Sequence, residues 1–441
     1  MWRFGAFGAL TTLVTVAAFL PSVAGAAPRT TSTTTTLAPG LTLTGVADPS
    51  GPYQLRILTV DPTKPVTLDV ATAGASLGTY ALTSKIGTAK GALAAVNGDF
   101  SVAPGRPVHA MLSNGTFLQS GIHAGAAFSQ SRDRVHAYLG APHVSISGVA
   151  PSITGSNFSV SSWNSGQPTS GGIAAFTRYG GTDERPGPNE CAVRLSAPTK
   201  LKWGNTTQTR LTRDYSVDSA RCSSAAMTFG SKGAVILTSG GSGSGAIALK
   251  QLVAGSTVRL SWSDGWAGSM DAMGGQPLLL ENGTIVAPQT CGSFCLRNPR
   301  TGVGTAPDGT VFIVTVDGRC SCSAGMTLVE FAKEFISLGA TWAINLDGGG
   351  GTTMWIKGQG VVNQPSDTTG ERPVTTALLV LPGSDPNEPT PGFALASGGP
   401  PETIAVSPAL ASQAGMLAAS DPGSTGGLFQ VLRGGWLRPR G

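Results

Sequence analysis

From Leu41 onward the apolar residues come in short runs, and each run soon meets a glycine, a proline or an Asn/Asp turn. "YQLRILTVD" (53–61) and "VTLDVAT" (66–72) alternate, and "ALAAVNGDF" (92–100) ends in an Asn-Gly-Asp turn signal. Side chains two apart share one face of a strand, so this pattern builds sheets rather than helical bundles. The 62 glycines and 30 prolines supply the turns such a chain needs. One segment departs from the pattern. In "GMTLVEFAKEFISLGA" (325–340), Leu328, Phe331, Phe335 and Leu338 fall mostly at helical spacing. Thr327 followed three residues later by Glu330 is a capping box, and Gly339 stands where a helix ends. A hairpin before it (295–320) and the strand "TWAINL" after it give β-β-α-β. The expected class is therefore α+β: strand-rich mixed sheets with few helices in one large domain.

The N-terminus reads as a processing signal. "MWRFGAFGALTTLVTVAAFLPSVAGAAP" carries an early cation, Arg3, an apolar run to Leu20, and Ala24-Gly25-Ala26 as an A-x-A site. A signal peptide over 1–26 puts the mature chain outside the cytoplasm; an uncleaved anchor is the rival reading. Residues 27–40, "APRTTSTTTTLAPG", read as a Thr/Pro-rich flexible linker. The main domain is expected over 41–383, with a β-rich insertion or scaffold at about 160–260. In that stretch "SGGSGSG" (239–245) lacks the G-K-[ST] ending of a phosphate loop and reads as a glycine hairpin. Residues 384–441 read as a loose Pro/Gly/Ala-rich tail.

Six cysteines in an exported chain imply disulfides. Folding "CLRNPRTGVGTAPDGTVFIVTVDGRC" about its Pro307–Asp308 midpoint puts Cys295 opposite Cys320, with Cys291–Cys322 and Cys191–Cys222 following. The alternative is a metal site from C-x-x-x-C and C-x-C, but His109, His123, His136 and His143 all lie far upstream. No cofactor is expected. The formal charge of +5 comes from scattered Lys and Arg without a basic block, which argues against nucleic acid as a partner.

Polar clusters interrupt the apolar strands at "VNGDF" (96–100), "NPRT" (298–301), "VDGR" (316–319), "NLDGGGGTT" (345–353) and "NQPSDTTGERP" (363–373). Taken singly, each is an ordinary turn, Glu330 already has a capping role, and Asp367 could simply hold a turn. Four successive glycines are harder to dismiss, because glycine loses the most backbone freedom on folding. Their amides could converge as an anion-binding nest, with Arg300 or Arg319 adding charge; a glycine-rich bend is the duller option.

The motifs "VNGDF", "NPRT", "TVDGR", "GMTLVEFA", "NLDGGGGTTM" and "VNQPSDTTGERPV", with "AMGGQPLLLENG" (272–283), resemble the phosphodiester glycosidase family in order and spacing. The resemblance covers roughly 41–383 and is strongest from 272 onward. It implies a secreted hydrolase that cleaves the glycosidic bond of a sugar-1-phosphodiester, on a phosphorylated glycan or a small diester. It also implies a pocket of Asn97, Asp99, Arg300, Asp317, Arg319, Glu330, Asn345, Asp347 and Gly348, Gly349, Gly350 and Gly351. The family commonly has a serine where Gly351 stands, so Thr352 or the bare backbone must serve instead. It also often has a second aromatic residue where this chain has Ser101.

Chemically, a phosphodiester leaves readily, so charge stabilisation of the departing phosphate should outweigh general-acid help. Asp347 and Asp317, then Glu330, are the candidate catalytic carboxylates. A divalent cation held by Asp99 and Asp347 is a further option. A Ser-His-Asp hydrolase is disfavoured because G-x-S-x-G is absent. The competing function is a non-catalytic envelope protein that holds anionic wall glycans.

Overall fold

The computed structural model describes residues 30–383 except 132, 134–135, 154–155, 167–170, 181–190, 197–209, 224–226, 232 and 241–242. The signal-peptide and tail readings therefore fall outside the described residues. Within them the chain is α+β and strand-dominated.

Three sheets enclose one core. The first runs Thr31–Ala38, Leu41–Asp48, Tyr53–Val60, Val311–Val316, Arg300–Thr305, Trp342–Asn345, Leu278–Glu281 and Thr284–Ile285. The second runs Gly360–Val361, Met354–Ile356, Ala94–Asn97, Thr376–Pro382 and Val66–Thr72. The third holds Ala110–Ser113, Thr116–Ser120, Ala126–Ser131, Ala137–Gly140 and Ser269–Gly275. Val303, Ile313 and Ile344 of the first sheet meet Val70, Val96 and Leu378 of the second and Phe128 and Met273 of the third. A separate eight-stranded sheet, built from strands between Ser145 and Ser263, has its own core around Trp163, Leu195 and Leu237.

The helix Leu328–Ser337 forms as its sequence pattern predicts. Both halves of the capping box are made, and Leu328, Phe331, Ala332 and Phe335 are buried against the outer face of the first sheet. Gly302 and Gly304 make this possible. A Cβ there would stand 2.8 Å from Phe331 and 2.6 Å from Phe335. Burying the two rings contributes about 2–3 kcal/mol each. The short helix Thr83–Ala89 covers the second sheet in the same way, with Ile86 packed beside Ala95 and Leu379.

Three sequence readings need correction. The 27–40 segment is not a linker where it is described: Thr31–Ala38 pairs antiparallel with Leu41–Asp48, and Thr34 and Thr44 share a 2.9 Å hydroxyl bond. Threonine is β-branched, and a run of it fits a strand better than a coil. Of the glycine hairpin expected at 239–245, residues 241–242 lie outside the described residues; Ser239 ends a strand, and Gly243 is the N-cap of the helix Ser244–Lys250.

Two of the expected disulfides are also re-paired: Cys191–Cys222 stands, but the others are Cys291–Cys295 and Cys320–Cys322. In the hairpin Arg300 faces Val316 and Val303 faces Ile313, so facing positions sum to 616. The expected Cys295–Cys320 pairing needs 615. One residue of slip turns every side chain to the other face. Cys295 and Cys320 also lie beyond the ends of the paired strands, Arg300–Thr305 and Val311–Val316.

Candidate active site

Strand register gathers the polar motifs at one rim. Arg300 faces Val316, Gly302 faces Asn345, Met354 faces Val96, and Ala377 faces Asn97. Asp317, Asp347, Asn97–Asp99, Thr352 and the 363–373 segment therefore leave the first and second sheets at the same end of the core. Asn97 ties the sheets together there. Its Nδ2 donates to the Asp347 carbonyl at 2.6 Å, while its Oδ1 accepts from Thr301 Oγ1 at 2.7 Å and from the Thr353 amide at 3.0 Å. Asn97 is fully buried, so it frames the site rather than reaching into it.

Most amides of the glycine run are taken within the protein. The Gly348 amide donates to Asp347 Oδ1, Gly349 to the Pro299 carbonyl, Gly351 to Gly348 and Thr352 to Gly349. The last two bonds close a 3₁₀ turn over Gly349–Gly351. What the glycines provide is room. A Cβ at Gly350 would lie 2.1 Å from Asp367 Oδ1 and 2.3 Å from Arg372 Nη2; one at Gly351 would lie 2.9 Å from Asp347 Oδ2. Gly349, at φ +58°, lets the Arg319 guanidinium come as near as 3.3 Å to the same kind of point. The run is a side-chain-free floor on which Asp347, Asp367, Arg372 and Arg319 converge.

Asp347 is half-buried, and its backbone is clamped by the Gly98 carbonyl and by Asn97. Burial raises its carboxyl, Arg372 and the Gly348 amide pull it down, and the charges of Asp99 and Asp367 push it up again. The result is about 6. Asp367 is held by Arg372 in a bidentate pair at 2.7 and 3.0 Å. Asp317 is buried and accepts from the Gln364 amide at 2.9 Å and from Asn363 Nδ2 at 3.1 Å. Burial raises its carboxyl, against those two bonds and the Arg56 charge.

Beneath Asp347 lies a pair that the sequence reading missed. Asp99 accepts from the His109 amide at 2.8 Å and lies 2.6 Å from His109 Nδ1, and both residues are buried. Desolvation lowers the His109 imidazole, but the Asp99 charge and hydrogen bond outweigh it and the net shift is upward. Both Asp99 oxygens thus serve His109. Among the described residues no group of three or more His, Cys, Asp and Glu could hold a metal ion.

Three expected site residues make framework contacts. Arg300 is buried and donates to the Met326, Phe294 and Leu296 carbonyls; desolvation and the Arg319 charge lower its guanidinium to about 10. It braces the 294–298 turn instead of facing the floor. Glu330 closes the capping box and takes bonds from Arg297 and Tyr53. Burial works upward on its carboxyl, yet Thr327 and Arg297 outweigh it and hold it below the ordinary value. Asn345 spends its Nδ2 on the Gln276 and Leu346 carbonyls. Thr352, by contrast, keeps a buried hydroxyl with no protein partner. Arg372 was passed over although it lies inside the quoted "GERP"; the only signal for His109 was a lone imidazole in the apolar run "VHAML".

Comparison with known proteins agrees with the resemblance read from the motifs. Residues 214–381 match the model of the phosphodiester glycosidase family. A prophage-derived protein of Bacillus subtilis, YomE, is 36% identical over 90 residues, which is 20% of this chain and 14% of that protein. A Synechocystis structure superposes with a TM-score of 0.60 at 22% identity, over 77% of this chain and 62% of that one. A Burkholderia pseudomallei protein, described as a candidate exported protein, gives 0.57 at 18%, over 80% and 97%. At those identities the two solved structures establish the fold. This chain spans only 14% of YomE and 62% of the Synechocystis protein.

Proposed function

We propose that the protein is an extracytoplasmic hydrolase that cleaves the glycosidic bond of a sugar-1-phosphodiester, freeing the sugar and leaving a phosphomonoester. The observation that carries this reading is one carboxylate, Asp347, on a glycine floor flanked by the guanidinium groups of Arg319 and Arg372. A carboxyl at about 6 is mostly ionised at neutral pH, yet close enough to neutrality to exchange a proton.

In this reading Asp347 takes a proton from water as the water oxygen bonds to the anomeric carbon. The bond from that carbon to the phosphate oxygen breaks, and its electron pair leaves with the phosphate. Arg319 and Arg372 balance the departing charge, replacing the glycine amides expected from sequence. Asp317 is the second carboxylate of the rim, fixed by Gln364 and Asn363. We assign this unit to 41–383 with the Thr31–Ala38 strand added. The disulfides support an oxidising location, and no described helix is long and apolar enough to cross a membrane.

The test is turnover. Purified protein is incubated with a panel of α-linked sugar-1-phosphate diesters, and free sugar is assayed. Activity lost in Asp347→Asn with the circular dichroism spectrum intact supports the hydrolase. Binding without turnover across the panel supports the envelope-glycan binder instead.

A further inference from the structure

Beside the site runs a groove that catalysis at Asp347 does not use. It has a volume of about 350 Å³ and lies between the N-terminal hairpin and the turn after Met354–Ile356. Thr31, Thr33 and Thr35 stand two apart and line it from one strand; Gln54, Arg56, Gln359 and Val362 close it. Across the sheet Thr33 pairs with Gly45, and Gly45 with Arg56. Gly45 is the dip in the groove: a Cβ there would meet Thr33 Oγ1 at 3.4 Å and Arg56 Nη1 at 3.7 Å.

Arg56 gives the groove its charge. Its two hydrogen bonds go to the Val362 and Leu55 carbonyls, and among the described residues it has no carboxylate within ion-pair distance. A half-buried guanidinium held by two neutral carbonyls offers its remaining N–H donors to an anionic visitor. The groove also adjoins the catalytic rim. The Asp317 amide donates to the Gln54 carbonyl, Asn363 follows Val362 in the chain, and the Arg56 charge is felt at Asp317. A row of hydroxyls, two amides and one cation suits a hydroxylated polyanion, and it offers no large exposed apolar surface to a protein or lipid.

We propose that this groove binds the aglycone beyond the scissile phosphodiester, as a chain of hydroxyls and phosphates, so that the substrate is polymeric. The proposal rests on the hydrolase reading for its direction, but the groove can be tested separately. The probes are a poly(glycerol phosphate) chain, followed by calorimetry, and the methyl diester of the sugar-1-phosphate that the turnover panel selects. Gly45→Leu places its Cβ at ordinary contact distance, on a backbone that needs no glycine, and projects its side chain from the dip. It should weaken polymer binding at least about tenfold and leave turnover of the methyl diester unchanged. Thr33→Val with Thr35→Val should weaken binding in the same direction, and Arg56→Gln should also flatten its salt dependence. Wild-type protein that does not bind the polymer, or Gly45→Leu that binds it as tightly as wild type, overturns the proposal. Polymer binding that depends on Gly45, in a protein that turns over no diester, keeps the groove and removes the hydrolase reading.

Discussion

Asp347→Asn should stabilise the protein at neutral pH while abolishing its activity. The carboxyl titrates at an ordinary 3.8 when the chain is unfolded and at about 6 in the folded site. Between those values the folded state holds a proton that the unfolded state has lost, so stability falls as pH rises from about 4 to about 6. Above that window the penalty is constant. Roughly two pKa units amount to no more than about 3 kcal/mol. Asparagine carries no charge, and its Oδ1 can still accept the Gly348 amide, so it escapes the penalty. Urea melts of the two proteins from pH 4 to pH 8 provide the assay. Midpoints should coincide near pH 4 and separate progressively in favour of Asp347→Asn, reaching a plateau near pH 7. Groups shared by both proteins, including Arg372, Asp99 and Asp367, largely cancel in the difference. A gap that does not change with pH, or a variant less stable than wild type at pH 8, would refute the claim that this carboxylate is held in an environment hostile to its charge.

Three further outcomes follow from the same geometry. Asp99→Asn removes a negative charge facing Asp347, so the limb of the kcat/KM profile that Asp347 sets should move to lower pH by up to about one unit; an unmoved limb breaks the link between them. Gly350→Ala puts a methyl group where Asp367 and Arg372 meet. Turnover should fall by at least about 100-fold with the far-ultraviolet spectrum retained, and full activity would mean that those side chains are not needed. Glu330→Gln should keep activity within about twofold of wild type while costing up to about 1 kcal/mol in a urea melt, because glutamine keeps the capping box but loses the ion pair with Arg297; a catalytic loss would return it to the site.

The fold was legible where local rules decide it. The capping box, the Phe331 and Phe335 spacing and the β-β-α-β order are all short-range features, and packing agreed with them. The rim was legible too, since Asn97, Asp317, Asp347 and Asp367 interrupt apolar strands at positions that register later brings together. What the sequence withheld depends on closure. Whether a glycine amide faces a ligand or a carbonyl is set by the next turn: the Gly349 and Gly351 amides went to the Pro299 and Gly348 carbonyls, and the Gly348 amide to Asp347. The hairpin slipped by one residue because the turn, not the cysteines, fixes register. Thr31–Ala38 was misread because composition was weighed ahead of β-branching. His109 stayed hidden because its partner, Asp99, is ten residues away across a turn.

Cleavage in ¹⁸O-water tests the central claim most directly, because the position of the label identifies the bond that breaks. Attack at the anomeric carbon places the heavy oxygen in the released sugar and leaves the phosphomonoester unlabelled, with no release from Asp347→Asn. Label in the phosphate would mean cleavage at phosphorus, and would contradict the assignment of Asp347 to the sugar and of Arg319 and Arg372 to the leaving group.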